Sequence, residues 1–457
     1  MKIDLEITEA AYSKFSTIKL CYIGNNDVAK KVDLHIDFLP LYDFSKDTSS
    51  VRFDFFLISS FIYGIDNLLS RKLYSVDGWA REIEVAFPVV NIGAWQGQEE
   101  LLEQTLKFLT GDYWKITFVQ TNVSTFYIEK KRRWAKNLPS FNKSSIKISS
   151  LFSGGLDSLI GVINGLQTLG QKDKILFASH FDSNSVGPNS DQTTLVKLLS
   201  IDFTDKIYWI QSTITLSRHD SNNIPLQLED SYRSRSFLFI GIGLYLVNDE
   251  LSSDELIIPE NGTISLNYPL TPSRVSSLST RTTHPFVINL LQQLIHKVIG
   301  TIKINNPYSF QTKGEMVASC LNTNILEKTY AKSVSCGKRG RRSHWDVKSG
   351  TEHCGVCMPC IYRRASLHKK NWDTQIYGID ILNASSIDNY VDMPALFDYL
   401  KTSLSVEKIK RDLLVNGSLP LNQLKDYADV IINSRTEILK WFSDKGNSYI
   451  KKELGIQ

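Results

Sequence analysis

The sequence predicts an α/β fold: a doubly wound parallel sheet, preceded by an α+β module and followed by a helical tail. Three observations predict it. Between residues 146 and 258 strand-like and helix-like patterns alternate four times, the rhythm of a parallel sheet with crossover helices. Before residue 146 apolar side chains recur at every second position, and after about residue 370 they recur at helical spacing. The boundaries that follow are 1–145 for the first module, 146–370 for the central domain and 371–457 for the tail.

In the first module, Val32, Leu34, Ile36 and Phe38 alternate with Asp33, His35 and Asp37, and Ile83, Val85 and Phe87 repeat the pattern; each marks a half-buried strand. Leu102, Leu106 and Leu109 share one helical face, and Gly111 supplies a stop. Residues 130–136, running into Leu138-Pro139-Ser140, read as a linker. Its consecutive bases Lys130, Lys131, Arg132 and Arg133 beside Trp134 are also a pattern that grips phosphates and stacks on a base, although a solvated face is the commoner meaning of a charge run. A strand over 146–152 then leads into Ser153-Gly154-Gly155-Leu156-Asp157-Ser158, and Leu159, Val162, Ile163, Leu166 and Leu169 lie on one face of a helix that Gly170 ends. Strands follow at 175–178, 207–210 and 255–258, with helices around 193–199 and from about 232 to 247. In the tail Leu400 with Leu404, Ile409 with Leu413 and a group from Leu424 to Trp441 predict packed helices.

Composition bounds the answer. At 457 residues, 42% hydrophobic and 22% charged, the chain is globular, with room for two or three folding units. Fifty-two Lys and Arg against 48 Asp and Glu leave 52 − 48 = +4, too little to identify a nucleic-acid coat. The opening MKIDLEITEA lacks an apolar core and a cleavage site, and the longest apolar run, 237–247, is broken by Gly241 and Gly243, short of the ~18 residues of a membrane span. A cytoplasmic protein without a membrane partner is the expectation. Of six cysteines, four fall between Cys336 and Cys360; in a reducing compartment such a cluster reads as metal ligation.

Two motifs carry chemistry. Adjacent glycines between a strand and a helix let the chain turn tightly and aim several N–H groups at one anion, with the positive end of the helix behind them. Ser153 and Ser158 add hydroxyl donors, and Asp157, which repels a bare phosphate, suits a residue that holds Mg²⁺ against phosphates. The loop lacks the Lys-Ser/Thr pair of a Walker sequence and the Gly-x-Gly-x-x-Gly spacing of a dinucleotide fold. The second motif is Cys354-Gly355-Val356-Cys357-Met358-Pro359-Cys360, with Cys336 upstream: four thiols matching a closed tetrahedral zinc site. An iron–sulfur cluster of ferredoxin type wants a cysteine at the position held by Arg364. His344 and His353 are substitute ligands, read instead as exposed loop histidines.

Residues 152–158 resemble the PP-loop of the ATP pyrophosphatases. Together with the cysteine cluster, Arg233-Ser234-Arg235-Ser236, Pro259-Glu260-Asn261-Gly262, Asn267-Tyr268-Pro269 and Thr312-Lys313-Gly314-Glu315, they resemble the QueC family of 7-cyano-7-deazaguanine synthases over about residues 147–370. In the family the last of these segments reads Thr-Lys-Ala-Glu. The pocket loop lacks the family's Asp-Cys, with Arg274 and Ser279-Thr280-Arg281-Thr282-Thr283-His284-Pro285 in that neighbourhood, and the basic stretch Lys338-Arg339-Gly340-Arg341-Arg342 is inserted after Cys336. With the added module and tail, the whole is more similar to the longer QueC-like proteins of bacterial antiphage operons, the QatC type.

The resemblance implies a HUP-like PP-loop sheet and an ATP-dependent ligase that adenylates a carboxyl-deazaguanine, releasing pyrophosphate and then AMP as an amide forms. It also implies that a partner protein's terminal amine is the acceptor, supplied by the same operon. Ser153, Gly154, Gly155, Leu156, Asp157 and Ser158 would bind ATP, Asp157 holding Mg²⁺. Arg235 or Lys313 would neutralise charge at the α-phosphate, Glu260 and Asn261 would read the ring, and Cys336, Cys354, Cys357 and Cys360 would hold Zn²⁺. Ser179-His180-Phe181-Asp182 is a loose candidate for the adenine pocket. Three other readings stand beside this one: housekeeping nitrile synthesis, a tRNA thiolase gripping RNA through 130–136 and 338–342 with Cys21 or Cys320 as sulfur carrier, and a non-catalytic scaffold of a defence complex.

Overall fold

A computed structural model describes residues 1–8, 17–24, 28–121, 142–231, 233–270 and 281–456; the segment 130–140, Arg274 and Ser279-Thr280 lie outside them. Among the described residues there are ten strands, all in one sheet: β1 (Lys2–Thr8), β2 (Thr17–Ile23), β3 (Ala29–Ile36), β4 (Glu82–Val89), β5 (Tyr113–Gln120), β6 (Ile146–Leu151), β7 (Lys174–Phe181), β8 (Ile207–Leu216), β9 (Glu255–Ile257) and β10 (Lys303–Asn305). Their order is β10-β9-β6-β7-β8-β3-β2-β1-β4-β5. From β10 to β8 every neighbour is parallel, β8-β3-β2-β1 are antiparallel, and β4 and β5 are parallel additions to β1. The chain is therefore α/β with a mostly parallel sheet, compatible with a Rossmann-like fold.

Both faces of the parallel half are covered. On β7, Ile175 and Phe177 join the core beneath the helices Leu156–Thr168 and Pro188–Asp202, while Leu176 and Ala178 join the core beneath Arg235–Leu246 and Pro285–Val298. This explains why β7 reads as a continuous apolar run: neither face meets water. The sheet does not stop at residue 145. β8 is long enough for Ile207 to Thr213 to pair with β7 and for Ile214 to Leu216 to pair with β3.

The helix Val51–Leu68 locks the two halves together. It is buried from Phe53 onward and lies against Arg235–Leu246, with Phe55 stacked on Phe237 at 5.6 Å. It is apolar on every side and so shows no stripe that would mark it as a helix in the sequence. The expected helix at Leu102 to Leu109 is present as Glu99–Thr110, and Gly111 caps it at φ +77°.

After the cysteine segment, Met393–Lys401, Val406–Asn416, Leu424–Lys445 and Ser448–Leu454 form a helical core shared with Met358–His368. Leu400 and Leu404 do not share a helix: Leu404 lies in the connection between the first two. Among the described residues no helix is long and apolar enough to cross a membrane.

Candidate functional site

The topology singles out one crevice. From β6 the sheet grows through β7 to β8 in one direction, and β9 and β10 then add on the other side of β6. In such a sheet the loops beyond the carboxyl ends of β6 and β9 diverge and leave a cleft at this reversal point. Ser153 to Ser158 follow β6, Glu260 and Asn261 follow β9, and Lys313 follows β10.

The loop is a tight turn. Gly154 sits at φ +84°, a left-handed conformation that side chains disfavour, and Gly155 is extended at the start of the helix Leu156–Thr168. The Ser153 carbonyl accepts from Gln192 Nε2 at 3.2 Å and the Gly154 carbonyl from the Val334 amide at 3.0 Å. The Gly155 amide faces Ser153 Oγ at 3.3 Å, the Leu156 amide faces Ser335 Oγ at 3.4 Å, and Ser153 and Ser158 hydroxyls lie 3.2 Å apart. These amide bonds are long. The hydroxyls that meet them both donate and accept, so they can turn to serve an incoming anion.

Around Asp157 the structure gathers residues far apart in sequence. Lys313 Nζ donates to its Oδ1 at 2.5 Å and Asn261 Nδ2 to its Oδ2 at 2.7 Å, with Asp157, Lys313 and Asn261 all buried. Glu260, half-buried, brings a second carboxyl to Asp157. Burial alone would raise the Asp157 pKa, but the Lys313 ammonium and hydrogen bonds from Glu260, Lys313 and Asn261 hold it below the usual carboxylate range. Burial and the Asp157 charge push Glu260 well above that range. The two acids are thus driven apart, Asp157 toward its ionised form and Glu260 toward its protonated form.

Several expected roles need correction. Asn261 is no free ring reader: its Nδ2 is committed to Asp157, its Oδ1 accepts the Ile264 amide as the cap of Gly262–Leu266, and it is fully buried. Glu260 turns to Asp157 instead of outward. Among the described residues Arg235 makes no hydrogen bond or ion pair with the Asp157 group; its guanidinium lies over the Phe239 ring at 5.6 Å, near enough to His180 to help burial depress that imidazole to about 3. His180 is buried between Tyr63 and Phe239 and Asp182 accepts from Tyr63 Oη, so this stretch is core.

Cys336, Cys354, Cys357 and Cys360 present sulfurs that all lie within 4.8 Å of one another, Cys354 and Cys360 at 3.8 Å. A tetrahedral ZnS₄ site with ~2.3 Å bonds has sulfurs about 3.8 Å apart, so the donor set fits zinc. The amides of Cys354 and Lys338 point at Cys336 Sγ and that of Cys357 at Cys354 Sγ, the outer hydrogen bonds that orient thiolates. Hydrogen bonds from the other three thiols pull Cys354 far down, while Cys357 and Cys360 are pushed up; four sulfurs this close ionise together only around a cation. His353 is not an exposed loop residue: it is buried, and its Nε2 accepts the Ser335 amide at 3.3 Å. His344 is exposed.

Two connections were not legible in the sequence. The segment Val334-Ser335-Cys336 touches the Ser153–Ser158 loop through its first two residues and belongs to the cysteine cluster through its third. The Thr312 hydroxyl that starts the turn carrying Lys313 donates to Glu437 of the tail at 2.6 Å. No local pattern announces a contact across 125 positions.

The inserted bases have partners within the chain: Lys338 with Asp392, Arg339 with Asp191 and Glu352, Arg341 with Asp230, Arg342 with Glu352. A polar cleft of about 630 Å³ opens at the amino ends of β9 and β10, beside Arg52, Asp249 and Asp254, away from the convergent acids and the amine. Comparison of the chain with protein-family models, with curated proteins and with solved structures finds no match.

Proposed function

We propose that this chain is an ATP-dependent ligase of QueC-like type, in which a carboxyl-deazaguanine is adenylated and passed to an amine, with a partner protein's terminal amine as the acceptor in an antiphage setting. The observation that carries the reading is the convergence of Asp157, Glu260 and Lys313 beside a Ser-Gly-Gly-Leu-Asp-Ser turn at the sheet's reversal point. Diphosphate would lie on the loop amides and on the Ser153 and Ser158 hydroxyls, at the amino end of Leu156–Thr168. Lys313 would exchange part of its bond to Asp157 for the α-phosphate, where negative charge builds as the substrate carboxylate attacks phosphorus and pyrophosphate departs. The amine then attacks the acyl carbon, AMP leaves, and the amine's surplus proton passes to solvent.

Mg²⁺ would supply charge neutralisation of the phosphates, and Asp157 and Glu260 would be the acids that hold it. Zinc on the four thiols would brace the 334–336 segment against the loop without entering the chemistry.

The rival thiolase reading is less well supported. It needs a reactive thiol outside the cluster, and burial pushes Cys21 up to about 11 and raises Cys320 as well. It needs an RNA grip, and the bases at 338–342 are engaged with the chain's own acids. The test is incubation with ATP, Mg²⁺, the carboxyl-deazaguanine and the operon's other products, followed by AMP quantification and intact mass of every chain. A protein conjugate fits the proposal, a nitrile product points to the housekeeping reaction, and absence of AMP with every candidate acid rejects the adenylation reading.

A further inference from the structure

The turn Thr312-Lys313-Gly314-Glu315 opens a short helix, Lys313–Ala318, with a reciprocal cap: Thr312 Oγ1 accepts the Glu315 amide at 3.0 Å and Glu315 Oε2 accepts the Thr312 amide at 2.7 Å. A cap of this kind sets where the helix starts but leaves a one-turn element free to rock. Here the long tail helix Leu424–Lys445 grips it from outside. Glu437 Oε1 accepts Thr312 Oγ1 at 2.6 Å and Lys369 Nζ at 2.8 Å, and Asn433, one turn earlier, donates to Glu315 Oε1 at 2.9 Å. Both residues of the cap are thus held by one face of one helix.

The same contact explains Gly314. A Cβ built there would lie 2.6 Å from the Glu437 carboxyl carbon, closer than real contacts allow. The Glu437 carboxylate occupies the space an alanine methyl would take, so the glycine that departs from the Thr-Lys-Ala-Glu pattern and the glutamate of the tail are two halves of one arrangement.

From this we infer that Glu437 is a positioning residue for Lys313: the tail helix, through Glu437, fixes the turn that aims the Lys313 ammonium at Asp157. The inference rests on the proposed adenylation only where turnover is the readout. A misplacement of about 1 Å of a charge-stabilising group is enough to cost a large factor in rate.

The test is a set of substitutions in the full chain. Glu437→Ala lowers kcat for AMP formation about tenfold or more while KM for ATP moves less than about threefold, and Glu437→Gln, which keeps an acceptor for Thr312, recovers most of the loss. In a Lys313→Ala background Glu437→Ala has no further effect, because the residue it aims is gone. Gly314→Ala lowers the melting temperature, and Glu437→Ala added to it restores part of the loss. Losses from Glu437→Ala and Lys313→Ala that multiply, or Gly314→Ala neutral beside an intact Glu437, overturn the inference. If the unsubstituted protein or Lys313→Ala gives no AMP, the melting temperatures of Asp157→Asn, Glu437→Ala and the double variant decide instead: shifts that fall short of additive support coupling through Lys313, and additive shifts reject it.

Discussion

Two of the buried charge clusters among the described residues differ in their arithmetic. In one cluster Arg71, Arg81 and Arg233 meet Asp66, Asp112 and Glu229, three cations against three anions. Burial opposes ionisation there, yet Arg81 and Arg71 hold Asp66 below the carboxylate range, and backbone and side-chain donors hold Glu229 low. The spare hydrogen bonds go to structure: Arg81 reaches the Asp66 and Leu69 carbonyls, Arg233 the Thr110 carbonyl, and Asp66 accepts both the amide and the hydroxyl of Ser234 at the start of Arg235–Leu246. In the other cluster two acids face one amine, and the two carboxyl groups are driven apart, Asp157 down and Glu260 up. A balanced network joins elements; an unbalanced one is poised to take up a cation or an anion, which is why the second, and not the first, is the candidate site.

The sharpest way to break that contrast is to remove one acid from each cluster. Asp157→Ala is expected to abolish AMP release, by about 10²–10³-fold or more, while the fold persists. Asp112→Asn leaves Arg71, Arg81 and Arg233 facing only Asp66 and Glu229 in the interior and is expected to cost about 3–5 kcal/mol in chemical denaturation, with kcat of the folded fraction little changed. Turnover that survives the first substitution but not the second would reverse the two assignments.

Next in size is the four-cysteine cluster. Cys357→Ser should remove zinc, measured by elemental analysis, and with it a bound ion whose apparent contribution in small zinc domains is about 10–16 kcal/mol. Because Val334 and Ser335 lie between the cysteines and the loop, ATP affinity should fall together with the melting temperature. A metal-free variant that binds ATP normally would show that the brace and the loop are independent.

How much of this was readable beforehand follows from range. The four parallel strands at β6 to β9 and the helices between them announced themselves through local period and turn residues. So did the glycine turn and the cysteine spacing, since each is a local constraint. The helix Val51–Leu68 did not, because burial on every side erases the stripe that marks a helix, and the three-residue strand β10 is too short to show a period. Asp157, Glu260, Asn261 and Lys313 were identifiable as residues, but their assembly depends on strand order. That order turned Asn261 from a ring reader into a support for Asp157 and left Arg235 on Phe239. The contribution of the tail, through Glu437, is wholly tertiary.

Protonation offers a gentler test of the unbalanced cluster. Glu260 has its folded pKa raised, so its contribution to stability is complete below the ordinary glutamate value of ~4.3 and is lost as pH rises from there toward the raised value. Asp157, depressed, does the opposite: its contribution is present above the ordinary ~3.9 and is lost as pH falls through its lowered value. Glu260→Gln mimics the protonated acid and should remove only the first slope, which is bounded by about 1.4 kcal/mol per pH unit for one proton. Relative to the parent, the variant should therefore gain stability in denaturant titrations at pH 8 compared with pH 5. Parallel curves at the two pH values would mean that Glu260 is ionised in the folded protein and that the cluster is not short of a cation.

The smallest expected effect lies where the brace meets the loop. Ser335 Oγ faces the Leu156 amide at 3.4 Å, too long to contribute much stability, but the hydroxyl stands next to the turn that would hold diphosphate. Ser335→Ala should leave zinc content and melting temperature close to the parent's and raise KM for ATP by about two- to tenfold, the range of one modest hydrogen bond. The balanced arginine cluster provides the control: Ser231→Ala removes a hydroxyl that pairs with Glu229 and Arg71, and should leave KM unchanged. If the two serines prove equivalent in KM, the loop does not use its neighbouring hydroxyl, and anion binding at this turn must rest on the backbone amides and the helix end alone.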